Sequence, residues 1–130
     1  MILIVMFLVC EFAGDFLLQP RWMALGKSVS LKVLSYHAGC VFVPVFVGMM
    51  VVALFGVARV EDVSTFAFLY AFAHGIQDWF LWRGYKKMRP DWYKTSFKFY
   101  EDKMFYTFIG ADRLAHVLVG ISLIYLIFVR

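Results

Sequence analysis

Ionisable residues recur at four-residue intervals inside runs that are otherwise apolar. Glu11 and Asp15 interrupt the first run, His74 and Asp78 the third, Asp112 and His116 the fourth, and His37 stands in the second. A spacing of i,i+4 stacks two side chains on one face of a helix, so each pair points one way. Runs of roughly 20 apolar residues match the thickness of a bilayer core, and four of them use nearly all of the 130 residues. Hydrophobic residues make up 63% of the chain, against about 45–50% in soluble domains. The reading is an all-α integral membrane four-helix bundle, a single transmembrane domain over 1–130.

The first run, about 1–19, ends at Pro20, which cannot continue helical hydrogen bonding. It lacks the basic start and small-residue cleavage site of a signal peptide, and is expected to be a mature helix. Arg21 to Lys27 is a basic connector carrying Trp22 and Met23, suited to the headgroup level. Ser28 or Ser30 caps a second span, about 29–56, with Pro44 as a kink point. Val57 to Asp62 makes a tight turn, Ser64 opens a third span over about 64–85, and the fourth covers about 104–129. Lys86 to Lys103 mixes charges with Trp92, Tyr93, Phe97, Phe99 and Tyr100, the composition of a short amphipathic segment lying on the membrane. Cys10 and Cys40 each lie in an apolar run and read as inert buried thiols.

Lysine and arginine are retained on the cytoplasmic side of a membrane protein. Arg21, Lys27 and Lys32 lie between spans one and two, and Arg83, Lys86, Lys87, Arg89, Lys94, Lys98 and Lys103 between spans three and four. Only Arg59 and Arg130 lie on the other side. The expectation is a multi-pass protein of a bacterial-type inner membrane with both termini away from the cytoplasm. Its net charge of +4 is then accounted for by an anionic leaflet rather than by nucleic acid.

A charged residue near the middle of a span costs at least ~2.5–3.5 kcal/mol on insertion scales, so such residues face the bundle interior and find partners. Counting ~1.5 Å per residue from the cytoplasmic ends places all seven groups one to three turns deep, in the same half of the bundle. Three imidazoles and four carboxylates at one level suit one or two divalent metal ions, zinc first, with manganese or iron behind it. Facing helices build di-metal carboxylate sites in a similar way. Asp15, His37, His74, Asp78, Asp112 and His116 are the expected ligands, with Glu11 as a further ligand or general base. Arg113, Arg21 and Lys27 are candidate phosphate contacts, with a snorkelling role as the alternative for Arg113. Gln19 and Gln77 are candidates to orient the ligands from behind.

The run Gly14-Asp15-Phe16-Leu17-Leu18-Gln19, then Trp22-Met23-Ala24 and Lys27, then His37, His74-x-x-x-Asp78 and Asp112-x-x-x-His116, resembles a family of small uncharacterised bacterial and phage integral membrane proteins. More distantly it is similar to the YdjM-type inner-membrane proteins described as metal-dependent hydrolases. The chain departs from the family at Glu11, where a histidine is usual, and at Arg113, where glutamine is frequent. The distant resemblance implies a metal-dependent hydrolase, and a site one to three turns inside the bilayer suits a headgroup better than a soluble metabolite. The expectation is therefore a membrane-embedded metal-dependent hydrolase acting on a lipid or lipid-linked phosphoester from the cytoplasmic leaflet, with membrane lipids as partners and a homo-oligomer compatible with it. The rival expectation is a non-enzymatic membrane protein: a proton or metal-ion transporter, a channel-like oligomer, or a metal-stabilised phage or host interaction protein.

Overall fold

The computed structural model describes residues 1–93 and 98–129, with the backbone alone at Tyr100. Among these residues every regular element is helical, without strands. The elements are α1 (Ile2–Phe12), a π-helical turn (Ala13–Leu17), α2 (Arg21–Gly26), α3 (Leu31–Leu54), α4 (Val60–Met88), a 3₁₀ turn (Phe99–Glu101) and α5 (Lys103–Phe128). The principal packing is α3 on α4, α4 on α5, and α1 with its π turn on α3.

Several boundaries differ from those expected of the sequence. The connector after Pro20 is itself helical: Pro20 sits at the N-cap in extended conformation, and Met23, Ala24 and Leu25 are good helix formers. Of the two candidate serines, Ser30 caps α3, its hydroxyl accepting from the Val33 amide at 3.5 Å. α4 begins a turn earlier than Ser64. Glu61 and Asp62 lie in its first turn, where carboxylates suit the helix dipole, while the Ser64 hydroxyl donates back to the Val60 carbonyl at 2.9 Å. The link before it turns on Gly56, at φ +74°, a left-handed conformation that glycine adopts without strain.

Two helices, α3 and α5, are long and apolar enough to cross a membrane by length and composition. The expected interfacial segment, Lys86 to Lys103, begins within the last turn of α4 and contains the turn at residues 90–93 and the 3₁₀ turn; its residues 94–97, including Lys94 and Phe97, lie outside the described set, as do Arg130 and the Tyr100 side chain.

Asp102 ends this link and starts α5. Its carboxylate accepts from the Met104 amide at 3.0 Å, from the Tyr85 hydroxyl at 2.9 Å and from Arg89 Nη2 at 2.8 Å. The Arg89 guanidinium holds the carboxyl below its ordinary range; burial pulls the other way and is outweighed with help from Tyr85 and the Met104 amide. A carboxyl with a depressed folded pKa contributes stability that is complete above the unfolded value, about 3.9, and is lost as pH falls through the folded one. The stability difference between the wild type and Asp102→Asn should therefore be flat from neutral pH down to about 5 and shrink below about 4, read from denaturant unfolding at stepped pH.

The bundle has two unlike halves. Towards the N-terminus of α4, Phe7, Val45, Met49, Val63, Phe66 and Tyr70 are fully buried in a dry core. The Phe7 ring meets Phe66 and Tyr70 edge-on, at centroid distances of 5.7 and 4.8 Å. Towards the C-terminus of α4, polar groups fill the interior.

Candidate metal centre

Asp15 reaches the interior from a π turn, the one irregular stretch of the first helix. Such turns are rare and frequent at functional sites. Gly14 allows it: a Cβ there would stand 2.8 Å from the Cys40 carbonyl oxygen and 2.8 Å from Val41 Cα, so only glycine lets this turn press on α3 beside His37. α3 supplies His37, α4 supplies His74 and Asp78, α5 supplies Asp112 and His116, and α1 supplies Glu11. All seven are buried, with 0 to 4% of their surface exposed. The structure thus brings together every one of the seven groups singled out in the sequence.

Four donor atoms close on one point. His37 Nε2 is 2.7 Å from Asp78 Oδ2, 3.2 Å from Asp15 Oδ1 and 3.0 Å from His74 Nε2. His74 Nε2 is 3.3 Å from Asp78 Oδ2 and 3.8 Å from Asp15 Oδ1. Ligands held ~2.0–2.1 Å from a tetrahedral zinc stand about 3.3 Å from one another, so the edges of this group bracket that geometry. Two further groupings, Glu11 with His74 and His116, and Asp15 with Asp112 and His116, also bring their donor atoms within 4.8 Å of one another. His116 Nε2 and Asp112 Oδ1 are 3.8 Å apart, too far for a hydrogen bond, and neither makes one elsewhere among the described residues. Buried polar atoms left in this state are costly unless something is to be bound. These His, Asp and Glu groups could hold a metal ion.

Gln19 lies behind His37, its amide 2.9 Å from Nδ1. An amide can present either its oxygen or its nitrogen to the ring. With the oxygen inward it accepts the Nδ1 proton and leaves the Nε2 lone pair facing the cluster, the arrangement a metal-binding histidine needs. Gln77 Oε1 is buried without a hydrogen-bond partner among the described residues.

Two of the three cations expected as phosphate contacts, Lys27 and Arg113, are instead paired with the carboxylates of the cluster itself. Lys27, expected as a loop charge, is buried. Its ammonium lies 2.8 Å from Asp78 Oδ1, 3.5 Å from Asp15 Oδ1 and 3.3 Å from His37 Nε2. α2 folds the chain back over the bundle end and turns this side chain inward; no periodicity marks a residue in a connector of that kind. Arg113 does not snorkel. Its Nη1 donates to Glu11 Oε1 at 2.7 Å, its Nη2 meets Asp15 Oδ2 and lies 3.3 Å from His116 Nδ1, and the guanidinium covers the Phe16 ring at 4.5 Å. Arg21, the first residue of α2, is exposed and remains outside the cluster.

A cavity of about 290 Å³ joins the cluster to the end of the bundle. Asp15, Lys27, Asp112 and Arg113 line its inner part, Phe99 and Phe105 are among its apolar walls, and Arg21 and Lys86 also border it. That volume is close to the lower end of the ~300–1,000 Å³ usual for small-ligand sites.

The fold and the site define an all-helical chain with a buried histidine–carboxylate cluster that adjoins a cavity. Comparison with protein-family models, curated proteins and solved structures found no match in any of the three.

Proposed function

We propose that the protein is a membrane-embedded metal-dependent hydrolase acting on a lipid or lipid-linked phosphoester from the cytoplasmic leaflet of a bacterial-type inner membrane. The observation that carries this reading is inverted polarity. α4 turns His74 and Asp78 inward while Phe68, Phe72, Ile76 and Phe80 are exposed. α1 and its π turn do the same, with Glu11 and Asp15 inside and Val5, Val9, Phe12 and Phe16 outside. Water would leave these stripes as large apolar patches, whereas hydrocarbon solvates them. α4 misses the composition of a span because of its inward polar face, not its outward one. On this reading α1 with its π turn, α3, α4 and α5 are the four spans, and the basic connectors put both termini away from the cytoplasm.

Asp15, His37, His74 and Asp78 would hold the ion, with Asp112, His116 and Glu11 completing the surrounding set. Two imidazoles and two carboxylates at tetrahedral spacing favour zinc, with manganese or iron next. When bound, such an ion polarises a phosphoryl oxygen and lowers the pKa of a water. Lys27 and Arg113 border the cavity and are placed to contact the remaining phosphoryl oxygens. Glu11, oriented by Arg113, serves as the base for the attacking water. The aromatic walls take the apolar part of the substrate and exclude bulk water.

One observation favours a second, non-enzymatic reading. Lys27 and Arg113 already neutralise part of the cluster, as they would in a polar network that locks the helices together or relays ions. Elemental analysis of detergent-purified protein separates the two. The hydrolase reading expects stoichiometric zinc, with His74→Ala lowering metal affinity by more than the ~10–100-fold that an outer partner of a ligand costs and Asp112→Ala lowering it by about that ~10–100-fold. It also expects phosphate release from phosphatidic acid or polyprenyl phosphate in mixed micelles. A metal-free protein sinks the hydrolase; bound zinc without release from either substrate supports a metal-stabilised structural role.

A further inference from the structure

We infer that the cluster is a one-ion centre in which Lys27 and Arg113 stand where a second metal would otherwise be, as fixed organic cations. This rests on the metal-binding reading above and decides the number of ions.

Two-metal sites hold their cations about 3.5–4 Å apart, and a carboxylate spanning them gives one oxygen to each. Asp78 divides its oxygens in this way, but between unlike partners. Oδ2 faces the two imidazole nitrogens, at 2.7 and 3.3 Å, and Oδ1 faces the Lys27 ammonium at 2.8 Å. Asp15 does likewise. Oδ1 faces His37 Nε2 at 3.2 Å, with the Lys27 ammonium farther off at 3.5 Å, and Oδ2 meets Arg113 Nη2. The same guanidinium takes a carboxylate oxygen from each of the other two donor groupings, leaving His116 Nε2 and Asp112 Oδ1 without a hydrogen bond among the described residues. It takes Glu11 Oε1 with Nη1, and lies beside His116 Nδ1 with the Nη2 that also meets Asp15.

Lys27 is also held too firmly to be displaced easily. The carbonyls that flank it in the chain are both tied to α4: Lys86 Nζ donates to the Leu25 carbonyl at 2.5 Å, and Arg83 Nε to the Ser28 carbonyl at 3.2 Å. Its ammonium and the Arg113 guanidinium both border the cavity. They therefore supply, without a second metal, the clamp of positive charge that phosphoryl transfer requires.

The test is zinc counting by mass spectrometry after equilibrium dialysis of the detergent-purified chain against buffered free zinc. The wild type should hold about one zinc per chain, and Lys27→Met, which keeps the unbranched stem but lacks the terminal ammonium and so opens Asp78 Oδ1, about two. Arg113→Gln, at a less buried position, should also rise towards about two, and it carries the test if Lys27→Met loses its helical circular dichroism. Lys27→Arg keeps the charge and should stay at one. Two zinc ions in the wild type overturn the inference and leave the hydrolase standing. One zinc in the wild type and in both neutral variants overturns it too. No zinc in the wild type removes the metal-binding reading itself.

Discussion

Asp78→Ala should destabilise the bundle by about 3–5 kcal/mol, the cost of removing one partner from a buried ion pair. The magnitude follows from what the carboxylate leaves behind. Asp78 is fully buried and is the nearest partner of Lys27, at 2.8 Å. Without it the ammonium keeps only Asp15, at 3.5 Å, and the His37 nitrogen, at 3.3 Å. The same substitution in a Lys27→Met background should recover most of the loss, because exchanging both members of a buried pair for apolar groups is often neutral or stabilising. Guanidinium unfolding of the four proteins in detergent, followed by helical circular dichroism, gives the complete cycle. Equal losses in both backgrounds would mean that Asp78 acts through something other than Lys27. The single variant should also lose its metal, since the same carboxylate faces both imidazoles.

Gly14→Ala is the second large effect. The new Cβ would meet backbone of α3, the Cys40 carbonyl and Val41 Cα at 2.8 Å each, and backbone yields less readily than a side-chain tip. Overpacking of this kind costs ~1–3 kcal/mol. The variant should lose metal affinity as well, because the turn that must move carries Asp15. Gly39→Ala is the control, one residue from Cys40 on the same helix: nothing lies within 4 Å of a Cβ there. It should be neutral or slightly stabilising, since glycine in a helix interior is ~1 kcal/mol worse than alanine. Thermal unfolding and zinc content of the pair distinguish a local clash from a general intolerance of change.

The convergence of Glu11, Asp15, His37, His74, Asp78, Asp112 and His116 was legible because two simple rules determine it. An i,i+4 pair shares a face, and residues counted from the ends of apolar runs share a depth. Neither rule reaches Lys27. Its position depends on how the chain folds back after Pro20, and the short helix that does so has no apolar periodicity of its own to read. Arg113 was seen as adjacent to the cluster, but a long side chain one residue from an inward ligand can turn either way, and its pairing with Glu11 and Asp15 requires knowing how closely α1 approaches α5. The start of α4 was missed for a related reason. Ser64 looks like a cap, yet Glu61 and Asp62 satisfy the helix dipole a turn earlier, leaving the serine to bond inside the helix.

The dry half of the bundle has a consequence for what the polar half can do. Phe7, Phe66 and Tyr70 interlock with centroids 4.8 to 6.0 Å apart, and Val45, Met49 and Val63 are sealed around them with no exposed surface. A file of water needs polar partners along its path, and this floor offers little beyond the Tyr70 hydroxyl. Anything admitted beside Lys27 and Arg113 must leave by the way it came. On the membrane-embedded reading proposed above, vesicles carrying this protein are expected to hold their voltage and proton gradient, and a leak would favour the ion relay instead.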